Sequence, residues 1–144
     1  MQDSFKPEGE ITFKLTNSKG EVKETTVRNL VVSGGRTWIT ARMGGDTPPL
    51  MSSIAVGTGT TAAELTDTAL EAQIDIAEMT EPGGIVTANV IAYSATFPAG
   101  NATGAITEAG ILNEDDLMLS RSVFPVINKQ ADDVLNVIWR VRIQ

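Results

Sequence analysis

The sequence contains no cysteine and no histidine. Without cysteine there is no disulfide framework, no thiolate metal site and no thiol nucleophile. Without histidine there is no serine–histidine triad and no imidazole-bound zinc, and the commonest general base is missing. Aromatic residues are scarce, with two Trp, one Tyr and four Phe, too few for a stacked sugar platform beside an acidic pair. No run approaches the roughly 18 apolar residues that a membrane-spanning helix needs. Met1 to Gly9 carries no apolar segment of the kind a secretory signal requires. Together these absences lead us to expect a non-enzymatic protein, with no cofactor, no metal and no membrane partner, that folds in a cytoplasm.

Basic charge is short as well. The 144 residues hold 11 Lys and Arg against 18 Asp and Glu, for a net charge of −7. That balance opposes a nucleic-acid partner, whose binding surface would be basic. Between Arg42 and Arg121 there is no Lys or Arg at all, so residues 43–120 carry 11 carboxylates and a charge of −11. The flanks hold all 11 basic side chains and the other 7 acidic ones, a charge of +4. Acidic loops can simply keep a protein soluble. Segregated charge also suits faces that meet between subunits or on a scaffold.

What is abundant is Thr, Ala, Gly, Ile and Val, the residues of strands and close backbone contacts. The length suits one domain. Residues 1–9 lack periodicity and read as an arm. Ile11, Phe13 and Leu15 then alternate with Thr12, Lys14 and Thr16, and Asn17-Ser18-Lys19-Gly20 signals a turn, so residues 10–28 form a hairpin. Asn29 to Val32 is a short apolar strand. Ser33 is placed to cap a helix over Arg36 to Met43 whose stripe is Trp38, Ile39 and Met43. Strands are expected over Met51–Val56, Ile85–Phe97, Ala105–Leu112 and Leu117–Phe124, with Pro125 marking an end or an edge. Leu70 to Met79 fits a strand with Leu70, Ile74 and Ile76 buried, and fits helical spacing nearly as well. The last strand, Val134–Ile143, puts Leu135, Val137, Trp139, Val141 and Ile143 on one face. The expected fold is mainly β, a sandwich-like antiparallel domain with one short helix, in which Trp38 and Trp139 are core anchors.

Candidate chemistry is thin. Gly57-Thr58-Gly59-Thr60-Thr61 lacks the Lys of a phosphate-binding P-loop and reads as a turn that ends a strand. Asn113-Glu114-Asp115-Asp116 lacks the ligand spacing, central Gly and distal Glu of a calcium loop and reads as a hairpin turn, as does Asp132-Asp133. Glu64, Asp67, Glu71, Asp75 and Glu78 are spaced as on a solvated face. In the arm, Phe5, Lys6 and Pro7 are the candidate docking residues, because Phe5 is its one large apolar side chain beyond Met1 and an ordered terminus needs something to tie it down.

Leu30-Val31-Val32-Ser33-Gly34-Gly35, a short helix and then Met51-Ser52-Ser53-Ile54-Ala55-Val56-Gly57-Thr58-Gly59 resemble the start of the tail-collar fibre domain of tailed bacteriophages. Ala105-Ile106-Thr107-Glu108-Ala109-Gly110-Ile111-Leu112-Asn113 is similar to that family's later strand and turn. Phe124-Pro125-Val126-Ile127-Asn128-Lys129 and Leu135 to Ile143 resemble its last two elements. The resemblance spans about residues 29–143, so residues 29–144 are expected to form a collar-fibre-like core. It implies a virion structural protein. The family's long shaft and receptor-binding tip have no counterpart here, and residues 1–28 are additional. A short acidic β-rich chain of this kind also looks like a capsid decoration (cement) protein, which typically sits as a trimer on the head lattice of the major capsid protein. The expectation is therefore a homotrimeric decoration protein in the virion. The alternatives are a tail collar or baseplate adaptor that anchors a fibre and, from another class, a carbohydrate-binding or lytic module.

Overall fold

A computed structural model describes residues 7–143. Its strands are β1 (Pro7–Thr16), β2 (Val22–Val31), β3 (Met51–Gly57), β4 (Gln73–Glu78), β5 (Ile85–Thr87), β6 (Val90–Phe97), β7 (Gly104–Asn113), β8 (Met118–Lys129) and β9 (Val134–Ile143), and α1 (Ser33–Met43) follows β2. All strand pairs are antiparallel, and their order across the sheet is β4-β3-β7-β8-β2-β1-β9-β6-β5. The fold is the expected mainly-β, sandwich-like one.

The sheet curls because β2 changes partner. From Val22 to Asn29 it pairs with β1, and then Leu30 and Val31 pair with Arg121 and Ser120 of β8. One half of the sheet, with Ile11, Phe13, Tyr93, Phe97, Val137 and Trp139 turned inward, thus faces the other, which supplies Ile54, Val56, Ile106, Ile111, Leu119 and Phe124. Phe13 and Phe124 meet across the middle with ring centroids 4.6 Å apart and planes tilted by 45°, a geometry aromatic quadrupoles favour. Beyond β4 the curl returns on itself, as Thr80 donates its backbone N–H to the Ser94 carbonyl at 2.9 Å.

Several expected boundaries move, each for a local reason. β1 opens at Pro7, so Pro7, Glu8 and Gly9, read as arm, are strand residues opposite Ile143, Arg142 and Val141. Residues 22–31 form one strand, not two. The helix starts at Ser33, with Val32 at the N-cap position and no side-chain cap. Ser33 instead donates its backbone N–H to the Leu65 carbonyl at 2.8 Å. Met43, assigned to the apolar stripe, is exposed. The expected strand over residues 85–97 folds back at Ala88-Asn89, where Ala88 takes φ +53°. β8 runs on through Pro125, whose missing donor is tolerated because residues 124–126 have no ladder partner on β7.

Gly34-Gly35 would weaken a helix on propensity alone. Packing explains the second glycine. A Cβ on Gly35 would run into the backbone of Leu119, so the bare Cα lets α1 lie directly against β8. Gly35→Ala should cost about 1–3 kcal/mol, the usual penalty for overpacking, and a urea titration reads it directly. Wild-type stability in that variant would mean that the helix has room to lift off β8.

Candidate functional site

The Gly57–Thr61 motif ends β3, as its sequence suggests, and its amides collect carboxylates that belong to the chain itself. Glu108, an acidic residue inside the apolar run of β7, is wholly buried. Its Oε2 accepts the backbone N–H groups of Gly59 at 2.8 Å and Ala72 at 2.7 Å, and its Oε1 accepts that of Glu71 at 2.8 Å. Arg121, buried on β8, donates Nε to Oε1 of Glu108 at 3.1 Å, Nη1 to Oδ2 of Asp67 at 2.8 Å and Nη2 to the Thr61 carbonyl at 3.0 Å. Burial works against the Arg121 charge, but the hydrogen bonds and charges of Asp67 and Glu108 outweigh it and raise its pKa. A buried carboxylate that accepts three amides and a guanidinium is fully satisfied. Gly57 and Gly59 are needed here, since a Cβ on either would collide with the Glu108 carboxylate.

A second carboxylate closes the outer side of the same loop. Glu71 Oε1 accepts the Thr60 and Thr61 amides at 2.9 and 3.3 Å, and its Oε2 accepts the Thr61 hydroxyl. The Thr61 hydroxyl, followed by the two amides, holds the Glu71 pKa below the ordinary glutamate value. A lowered carboxylate pKa stabilises the folded loop above the unfolded-state pKa, and that support is lost as pH falls through the folded-state value. Protection of the Thr60 and Thr61 amides, taken relative to the intrinsic exchange rate at each pH, should therefore persist down to pH 4.5, the ordinary glutamate value, and be lost only below it. Protection already lost above that value would contradict the assigned bonds.

The acidic series is thus not a merely solvated face. Asp67 and Glu71 hold the loop, and Asp75 Oδ2 accepts the Ala102 amide at 2.9 Å. Asn113 Oδ1 accepts the Asp115 and Leu117 amides, both at 2.9 Å, so the Asn113–Asp116 turn is organised by its own side chain. Asp133 Oδ2 does the same for the Gln130 amide at 2.8 Å. Lys129 lies buried with Nζ 3.1 Å from the Pro98 carbonyl. Burial lowers its pKa, against the opposing pull of Asp133 and Asp75.

A different surface is open. Between α1 and the β5–β6–β9 end of the sheet lies an apolar groove of about 220 Å³, walled by Trp38, Ile39, Val86, Ile91, Tyr93 and Val141 among others. Trp38 is therefore half-buried. It packs on the core through one side, walls the groove and donates Nε1 to the Pro49 carbonyl at 2.9 Å. Trp139, the other expected anchor, is wholly buried. Arg42 lies over Trp38, its guanidinium carbon 5.9 Å from the ring centroid, and donates Nη1 to the Pro48 carbonyl at 3.3 Å. Burial pushes the Tyr93 hydroxyl up to about 12, although the nearby Arg42 charge pulls the other way. Of the candidate docking residues, Pro7 is buried in β1, and Phe5 and Lys6 lie outside the described residues.

Sequence reasoning missed Glu108, Arg121 and the groove. The available signal was a carboxylate placed within the apolar stretch Ala105–Leu112, and the single arginine that ends a base-free run. No family model, curated protein or solved structure matches the chain.

Proposed function

We propose that this chain is a non-enzymatic structural protein of a tailed-phage virion, working as a homotrimeric decoration protein on the head lattice formed by the major capsid protein. The observation that carries this reading is how the ionisable interior is used. Glu108, Arg121, Lys129 and Asp133 are buried, and each is bonded to backbone or to a partner charge that fixes a loop. Such a network gives a rigid body with its connections clamped down, which suits a lattice clamp better than a reacting site. The segments that resemble the collar-fibre family also support it. They fall in order on the end of β2 and α1, on β3 with its loop, and on β7, β8 and β9.

The decisive experiment adds tagged protein to phage particles that lack it and images them. The expected result is density spread over the head at repeated lattice positions. Density confined to the neck or baseplate would replace decoration with a collar or adaptor role. Absence from particles of every kind would end the virion reading.

A further inference from the structure

We propose that the groove beside α1 is the seat for β4 of a second copy of this chain. This contact rests on, and deepens, the oligomeric part of the reading above. Ile74 and Ile76 of β4 share the outward face of the strand with Glu78, and they remain 42% and 44% exposed. Two branched aliphatic side chains at alternate positions on a regular strand form a small, rigid apolar ridge. The sequence led us to expect them buried, and among the described residues they are left partly open to solvent.

The groove is their complement. Its walls are apolar, its rim residue Val86 is 69% exposed, and Trp38 supplies the kind of large, well-held aromatic on which interfaces concentrate their affinity. Charge matches too. Glu78 stands on the ridge itself with Glu81 just beyond, and Arg42 lies over Trp38 of the groove wall. Opposite charges at the edge of an apolar contact steer encounter and fix orientation.

The ridge has to come from another copy. β4 is held to β3 by a ladder from Ser53↔Glu78 to Gly57↔Gln73, and its outward side chains cannot turn to the groove of their own chain. The contact is therefore heterologous, one patch against a different patch. Repeated, a heterologous contact makes a ring where the rotation between copies closes and an open filament where it does not, and a trimeric ring is the closed form that the proposed role calls for.

Two variants at exposed positions test this. Ile76→Lys spoils the ridge and sets a cation towards Arg42, and Val86→Glu spoils the groove and sets a carboxylate towards Glu78. Circular dichroism and thermal melting should show both folded as the wild type. In sedimentation velocity the wild type should associate with rising concentration. Each variant alone should associate at least roughly tenfold more weakly, the effect of losing one central contact. An equimolar mixture should give a one-to-one dimer, because one intact ridge then meets one intact groove. A wild type that stays monomeric, an Ile76→Lys chain that assembles normally or a mixture that stays monomeric would each overturn the proposal. A chain that assembles as described but fails to bind particles would overturn the virion reading alone.

Discussion

Trp139→Ala should lower stability by about 3–5 kcal/mol, the usual cost of emptying a large aromatic site in a packed core. In a domain of this size that is a fall in melting temperature on the order of 10 °C. Trp139 is fully buried near the middle of β9, paired with Ile11 on one side and Tyr93 on the other. Its loss would open a cavity between the two facing halves of the sheet. Its Nε1 is also buried without an acceptor among the described residues. Trp139→Phe should therefore lose clearly less than the alanine variant, because it keeps a ring in the site and removes an unpaired donor. Equal losses in the two variants would mean that ring packing is not what the site supplies. Denaturant unfolding of both settles the comparison.

Glu108→Ala should be about as damaging, again roughly 3–5 kcal/mol, for an electrostatic reason. The substitution would leave the buried Arg121 guanidinium with only Asp67 and the Thr61 carbonyl as partners, next to three amides that lose their acceptor. Removing both charges is a different experiment. The pair Glu108→Leu with Arg121→Met takes away the half-paired cation and leaves its other partner, Asp67, at a partly exposed position, so it should recover part of the loss even though the loop amides stay unpaired. A double variant no more stable than Glu108→Ala alone would show that the loop bonds, not the ion pair, carry the effect.

How far the sequence could be read depended on whether the deciding interaction was local. β1 and β9 were legible because inward and outward residues alternate along each, and the first turn was legible because Asn17 and Gly20 have few other uses. Asn17 Oδ1 accepts the Lys19 and Glu21 amides at 3.0 and 2.9 Å, and Gly20 takes φ +80°. The reversal at Ala88-Asn89 was hidden because it contains no Gly or Pro, and alanine rarely adopts positive φ. Ile74 and Ile76 were misplaced because alternation identifies a strand without saying which face meets the core. The Glu108–Arg121 pair was out of reach for another reason. It exists only once β7 and β8 lie side by side, with Gly110 opposite Arg121.

The pairing of β1 with β9 bears on how the chain reaches its native state. Ile11 finds Trp139, and Pro7 finds Ile143, across most of these 144 residues. While the protein is being synthesised, the early hairpin of β1 and β2 has no partner along one edge, and its Ile11 and Phe13 have little to pack against. Only when β9 leaves the ribosome can the middle of the sheet be completed. The sheet is thus expected to be completed only once β9 has been made, on the millisecond-to-second scale of proteins dominated by distant contacts. Over that interval the open edge is the part of the nascent chain most exposed to aggregation.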